Sequence, residues 1–460
     1  MLAVLPVQNL SGNSSEDYVD DGLTEELIAQ LGMLNPRQLG VISRTSSMAY
    51  KNTEKTIAQI GHELGVDYIL ESSLLQSNGH LRFTAQLVRT SDQTHLWAQE
   101  YDKQAGDLIA IQDEIGRTVA DQIRLKLSFP AGEVIQPLHT VRPESREAYL
   151  RGRYYMNQRS KDGLSKGVEF FLQAIHNDPS DARAYAGLAD SYSLMVFYGY
   201  SEASLGIVRA QEAAERAIAI DDSLADGHAA LAYVNFMWLW DWAAAEQEFH
   251  RAIELDPNNS TVHQWFALYL AAMDRPQEAV EEIKMAELLD PRSPIVKSAA
   301  GWIFYFARQP QRAAEECLSA LQLDPNLMVA HSVLGLSYEE QGRYHQAITE
   351  FRRAIELSGI QQSTYLGYLG HAYAVSGRNH EAERVLRELD ESAKIGRVAL
   401  LNKAVIYAGL GDKEKAIETL QQAANQNDAS SVWLRVNPQF DNLRSDPRFT
   451  ALLPKPDHPF

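Results

Sequence analysis

A tract in the middle of the chain repeats every 34 residues, and this period restricts the fold more than any other feature. Leu255-Asp256-Pro257, Leu289-Asp290-Pro291 and Leu323-Asp324-Pro325 follow one another at that spacing, and Gly359 continues the step. Five residues before each of these four positions stands an alanine (Ala252, Ala286, Ala320, Ala354), and seven before that another (Ala245, Ala279, Ala313, Ala347). Between each alanine pair sits a larger apolar residue: Phe249, Ile283, Cys317 and Phe351. A fixed period of this length means an array of two-helix units leaning on their neighbours, not one closed core.

The residue types follow from how two helices touch. Small side chains at helical spacing let backbones approach, and a large one beside them fills the remaining groove. The first helix of each unit has the matching small residue: Leu231-Ala232, Phe266-Ala267, Ala300-Gly301, Leu334-Gly335 and Leu369-Gly370. Asp-Pro then stops the second helix, because proline lacks an N–H and disfavours helical geometry at the residue before it.

These units resemble the tetratricopeptide family, whose members alternate a helix carrying Leu-Gly and Tyr with a helix carrying Ala, Phe and Ala before a closing Pro. About eight helix pairs are expected from Ser145 onward. The first uses Gly152, Tyr155, Phe171, Ala174 and Pro179. The second uses Tyr185, Leu188, Ala189 and Tyr192, then Ala210, Ala214 and Ala217, with an insertion over 196–204. The seventh (Gly370, Tyr373, Ala382, Leu386) and eighth (Ala404, Tyr407, Ala416, Leu420, Ala423) lack the Asp-Pro stop. A tail with Trp433, Phe440 and Phe449 is placed to cover the last helix, since a solenoid end left bare keeps its apolar face wet. The resemblance implies a right-handed superhelix whose first helices line an inner, concave surface.

The first 128 residues have another texture. Residues 2–7 read as a buried strand, 9–15 as a polar loop, and 18–33 as a helix with Leu23, Leu27, Ile28 and Leu31 on one face. A strand over 39–43 and a helix over 56–64 ending at Gly65 follow. Residues 68–76, 81–88 and 95–101 then alternate as strands, the first two joined through Ser77-Asn78-Gly79, a strong hairpin signal. An amphipathic helix over 109–127 closes the set. The region is similar to the amino-terminal α/β domain associated with TolB, on Ala3-Val4-Leu5-Pro6, Asn9-Leu10-Ser11-Gly12, Asp21-Gly22-Leu23-Thr24-Glu25-Glu26-Leu27-Ile28, Ser43-Arg44-Thr45-Ser46, Leu64-Gly65-Val66-Asp67-Tyr68 and His95-Leu96-Trp97-Ala98. Such regions sit behind winged-helix DNA-binding, nucleotide-cyclase or kinase domains. The expected architecture is an α+β domain over 1–128, a linker over 129–144 containing Pro130, Pro137 and Pro143, an all-α solenoid over 145–428, and a capping segment over 429–460.

Composition narrows the partners. The chain has 460 residues, 45% of them hydrophobic, and a formal net charge of −19, which argues against nucleic acid because phosphate binding depends on Lys and Arg displacing counterions. The single cysteine, Cys317, excludes an internal disulfide and stands where other units hold Phe or Ile, as a buried apolar residue would. The longest apolar run, 229–240, is short of the roughly 20 residues a membrane helix needs. The amino-terminal residues lack the features of a signal peptide. A cytoplasmic location is expected, or a periplasmic one if a membrane helix lies upstream.

Little here suggests catalysis. No phosphate-binding Gly-x-x-x-x-Gly-Lys-Ser/Thr occurs, and His62-Glu63 lacks the second histidine of a zinc-protease helix. Asp20-Asp21 with Glu25-Glu26 reads as an acidic helix start that complements the helix dipole, the alternative being a cation site. No catalytic residue, metal or cofactor is expected. Binding of a peptide or protein partner is, along the inner stripe: Tyr233, Phe236 and Met237 in unit three, Gln264 and Leu268 in unit four, Trp302, Tyr305 and Phe306 in unit five, and Leu336, Glu339 and Glu340 in unit six. Rings at helical spacing are also how helices pack on one another, so groove and core remain alternatives. The Lys and Asn of a chaperone-tail clamp are replaced by Ala186, Ala229, Gln264 and Ser298. The chain reads as a non-enzymatic scaffold or sensor of a bacterial signalling protein. The rival reading is the effector-sensing part of a transcription regulator, cyclase or kinase, with a small-molecule site in the first domain.

Overall fold

A computed structural model describes residues 1–11, 17–32, 34, 38–77, 80–104, 118–119, 121–123, 141–358, 363–393, 400–424 and 432–453. The hairpin residues Asn78 and Gly79, most of the expected helix over 109–127, most of the expected linker and Gly359 lie outside them. The described chain forms two compact units. Unit one comprises Met1–Asn235, Ala244–Val262 and Leu288–Arg292, and unit two comprises Phe236–Ala243, His263–Glu287 and Ser293–Phe460.

Unit one opens with a five-stranded sheet. Strands β1 (Leu2–Val4) and β2 (Gln8–Asn9) both run parallel to β3 (Tyr68–Ser77), which pairs antiparallel with β4 (His80–Arg89), and β4 with β5 (His95–Gln104). Strand alternation gives each face its own core. Leu2, Val4, Leu70, Phe83 and Leu87 join Leu23, Leu27 and Leu31 of helix α1 (Asp17–Gly32) on one face. Ala3, Leu5 and Ile69 meet Ile60 and Leu64 of helix α3 (Ile57–Leu64) on the other. Helix α3 is fixed at both ends, by a capping box between Thr56 and Gln59 and by Gly65 at φ +65°, a left-handed turn that costs glycine little.

The strand expected over 39–43 is not formed. Val41 makes a single bridge to Leu2, and the Ser43 N–H donates instead to the Leu289 carbonyl at 2.7 Å before the chain turns into helix α2 (Arg44–Met48). Asp-Pro turns therefore do more than end helices. Asp290 accepts the Ser46 N–H at 2.9 Å and the Ser46 hydroxyl at 2.5 Å, and the Asn258 amide donates to the carbonyls of Gly32 and Leu39.

Eight helix pairs follow along the described chain, from Pro143–Met156 with Lys161–Asn177 to Leu400–Gly409 with Lys413–Ala424. The glycines of the first helices sit where side chains have no room: a Cβ on Gly152 would lie 2.7 Å from Phe171, on Gly301 2.5 Å from the Cys317 sulfur, and on Gly335 2.5 Å from Phe351. The turn aspartates also fold back locally, Asp178, Asp256 and Asp324 each accepting the N–H two residues on. A ladder of ion pairs ties first to second helices at the repeat period: His228 to Glu248 (2.5 Å), His263 to Glu282 (2.6 Å), Lys297 to Glu316 (3.2 Å) and His331 to Glu350 (2.6 Å). The third helix pair departs from the others, because its first helix, Ala225–Val234, continues as a π-helical turn over Asn235–Leu239 before Trp240 at φ +57°. In unit two, Leu434, Phe440, Leu443 and Phe449 pack on Leu401, Ala404, Val405 and Leu420 of the last pair.

Candidate interaction surface

The residue that follows the packing glycine of a first helix occupies a slot that differs from repeat to repeat. It is Arg153 after Gly152, Trp302 after Gly301 and Leu336 after Gly335.

In unit one the slot is electrostatic. Helix α1 lays its acids on helix α4 (Pro143–Met156): Glu25 takes the Arg153 guanidinium at 2.6 Å and Glu26 takes Arg146 at 2.5 Å, with Arg183 at 3.8 Å from Glu26. The approach is close enough that a Cβ on Gly22 would stand 2.9 Å from Leu150. Burial pushes the Glu26 carboxyl up, but Arg146, Arg183 and the Gln30 amide outweigh it and hold the group below the ordinary glutamate value. Asp21 pairs with Lys51 at 2.8 Å and Arg44 at 3.4 Å. Of the acidic stretch, Asp21, Glu25 and Glu26 thus meet side-chain cations, and Asp20 accepts from the Asn9 amide at 2.8 Å. Nearby, burial and the Asp226 carboxylate push Asp190 up to about 7, against the pull of Arg153 and Arg159. Tyr233 is buried in the same unit, with Tyr198, Arg159 and Asp190 acting on its hydroxyl.

At Gly301 in unit two the slot is aromatic. Trp302 stacks on Phe306 at 5.2 Å, and Phe306 stacks on Trp433 at 4.9 Å and 11°. Phe236 meets Trp433 edge-on at 5.9 Å and Tyr269 at 5.5 Å. The inner-stripe residues are largely covered: Phe236, Met237, Gln264, Tyr305, Phe306, Leu336 and Glu339 are buried, Leu268 and Trp302 half-buried, and Glu340 exposed. Part of that cover is the chain's own segment 432–444. Besides Trp433, it places Asn437 3.5 Å from the Tyr305 hydroxyl, pairs Asp441 with Arg308 through two contacts of 2.6 and 2.7 Å, and donates the Gln439 amide to Glu339 at 3.1 Å. Glu339 also accepts from His371 at 2.9 Å. Although Glu340 as a residue is exposed, the desolvation of its carboxyl by the surrounding groups raises its pKa, and Glu339 and Asp441 add to this against Arg308.

The sequence reading did not single out Arg146, Arg153 or Arg183, nor the reach of Trp433, Asn437, Gln439 and Asp441 onto the stripe. Arg153 could have been found by carrying the slot of Trp302 back to the first repeat. Cys317 is fully buried in the helix contact, where burial pushes its thiol up and leaves it unreactive. Among the described residues no cluster of His, Cys, Asp and Glu could hold a metal, and no helix is long and apolar enough to cross a membrane.

Comparison with known proteins adds the following. Residues 1–117 match the second domain of HilA/YgeH-like transcriptional regulators, and residues 329–359 and 398–429 match tetratricopeptide repeat models. A candidate adenylate cyclase 3 of Rhizobium meliloti (strain 1021) is 33% identical over 233 residues, covering 50% of this chain and 39% of the relative. The transcriptional regulator HilA of Salmonella typhimurium is 22% identical over 315 residues, covering 66% of this chain and 53% of the relative. The chain therefore spans between two fifths and about half of the length of these relatives. Among solved structures, a monomeric IFIT1 mutant with Gppp-AAAA aligns at a TM-score of 0.48 and 15% identity, over 75% of this chain and 78% of that one. The likeness to the TolB-associated domain rests on the sequence motifs alone. The described chain has eight successive helix pairs, two of them matched by family models as tetratricopeptide repeats, and its first 117 residues are similar to the HilA second domain.

Proposed function

We propose that this chain is a non-enzymatic protein-interaction module, the regulatory part of a bacterial signalling protein, and that it takes a peptide or protein partner on the first-helix face of unit two. The observation that carries the reading is the run of rings Trp302, Phe306 and Trp433, in which the carboxy-terminal segment with its short 3-10 turns, rather than an α-helix of a neighbouring repeat, supplies the last ring. A repeat face that accommodates such a segment has the shape and chemistry to take another. The relatives carry their names in two output classes, cyclase and transcription regulator, and a module shared between outputs is more economically a regulator than a catalyst. A photo-crosslinking residue placed at Leu268 or Glu340 in the producing cell should give a discrete protein adduct that the same residue at exposed Leu318 does not. Equal labelling from both faces, or none from the inner positions, ends this reading.

The same relatives support a second reading, in which the amino-terminal domain senses a small molecule for a cyclase, kinase or winged-helix output. Melting of the full chain across a panel of nucleotides and metabolites tests it. A panel that shifts nothing counts against it.

A further inference from the structure

The segment over 432–444 is held in two ways of unequal strength. Leu434, Phe440 and Leu443 are buried among the side chains of the last helix pair and anchor it as core residues do. Its contacts with the stripe are weaker. Trp433 is half-buried, the Tyr305 to Asn437 contact is at the limit of a hydrogen bond, and both members of the Arg308 to Asp441 pair are some 40–50% exposed, where ion pairs contribute little. One need also goes unmet. Glu339 is 6% exposed, and while its first carboxylate oxygen accepts from His371 and Gln439, its second has no hydrogen-bond partner among the described residues. A buried charged acceptor left half satisfied is costly, and a charge-assisted hydrogen bond to it is among the stronger ones available. The neighbouring Glu340 has Glu339 and Asp441 as like charges and Arg308 as an opposing one.

We infer that unit two takes a peptide segment presenting an aromatic ring and, within a few residues, a Lys or Arg: the ring replaces Trp433 on Phe306, and the cation meets the open oxygen of Glu339. This deepens the function proposed above and rests on it. Trp433 is then a resident that the partner displaces while Phe440 stays anchored. A competitor with ring and cation satisfies what the resident leaves open, whereas one with ring and acid meets Glu339 and Glu340 as like charges.

The test uses the full chain and labelled 12-residue Gly/Ser peptides carrying one Trp and either Arg or Glu at spacings of three to eight, read by fluorescence anisotropy. Trp-Arg peptides should bind about tenfold or more tightly than Trp-Glu ones. Trp433→Ala should tighten Trp-Arg binding by a similar factor, since the site no longer spends time closed. Glu339→Gln should erase the Arg preference. Should Trp433→Ala melt cooperatively at a much lower temperature, Arg308→Ala loosens the same segment without touching the rings and should tighten binding in the same direction. Equal binding of the two peptide classes overturns the inference, as does affinity unmoved by Glu339→Gln, or a chain that dimerises by exchanging segment 432–444 with a second copy. Peptides that behave as stated while the cellular crosslinks fail would remove the proposed cellular role and leave this specificity standing.

Discussion

At Gly152 in unit one the slot after the packing glycine is Arg153, and what lies on it is an acidic helix; at Gly301 in unit two it is Trp302, beside rings on which a segment with a tryptophan lies. The backbone arrangement is the same in both, set by Gly152 against Phe171 and by Gly301 against Cys317. What differs is one side chain per repeat and, with it, the permanence of the contact. Glu26 and Arg146 are each more than nine-tenths buried, whereas Arg308 and Asp441 are close to half exposed. The repeat period fixes where a contact can form. The slot residue decides what forms it and how readily it is given up.

The largest test of this contrast is Glu26→Ala. Removing one member of a buried pair takes away the carboxylate that Arg146 and Arg183 both face, and such changes cost about 3–5 kcal/mol. Chemical denaturation followed by circular dichroism should register the loss. Replacing both Glu26 and Arg146 by apolar residues of similar volume should recover much of it, because the pair's own net contribution is small once its desolvation is counted. A single Glu26→Ala as mild as a surface change would make the two contacts alike and dissolve the comparison.

Next in size are the glycines the two units share in kind. Gly152→Ala and Gly335→Ala each drive a Cβ against a buried phenylalanine, at 2.7 and 2.5 Å, and overpacking of this sort costs about 1–3 kcal/mol. Matched losses of melting temperature would confirm that the units differ in their slots and not in their packing. A loss in only one would move the difference into the scaffold.

How much of this could be read beforehand follows from range. The 34-residue step, the small-to-large helix contacts and the Thr56 and Gly65 ends of helix α3 are local or periodic, and each was legible because residue type alone dictates the geometry. The His–Glu ladder went unread, although His263 and His331 and their glutamates keep the period of the repeat. Contacts that join residues more than 100 apart were not legible. Nothing in Glu26 or Arg146 says that they meet, and nothing in Trp433 distinguishes a cap for the last helix from a ring on Phe306. The expected strand over 39–43 is cut to one bridge, in which Leu2 donates to Gly40 and accepts from Ile42, because at Ser43 the chain turns to the distant Leu289 carbonyl and into helix α2, a turn no local pattern announces.

A third test uses the ladder, which the two units have in common. His228 and His331 each face acceptors with both ring nitrogens, the Glu248 carboxylate and Asp222 carbonyl for one, the Glu350 carboxylate and Pro325 carbonyl for the other. Only the doubly protonated ring can donate to both. Burial lowers each pKa, but the facing glutamate and carbonyl outweigh it, against Arg353 at His331, so both stand above the ordinary histidine value of about 6.5. A raised folded pKa gives stability that is complete below the unfolded value and lost as pH rises through the folded one. Melting temperature should therefore fall from pH 6 toward pH 8, and His228→Gln or His331→Gln should each flatten that slope. A steeper slope in either variant would reverse the assignment.

The smallest effect is expected at Arg308→Ala, and its smallness is the informative part. The Arg308 to Asp441 pair has good geometry, with contacts of 2.6 and 2.7 Å, yet both side chains stay in water and Asp441 keeps Arg444 at 2.7 Å as a second partner. Exposed pairs of this kind contribute under about 1 kcal/mol and less in salt. Global stability should barely change, while segment 432–444 opens more often, detectable as faster amide exchange at 433–437 with no change at Phe440 and Leu443. Exchange that rises together across the whole segment would mean that Trp433 and Phe440 are one cooperative piece. The resident would then be as permanent as the acidic helix of unit one, and the distinction between the two slots would reduce to chemistry without any difference in release.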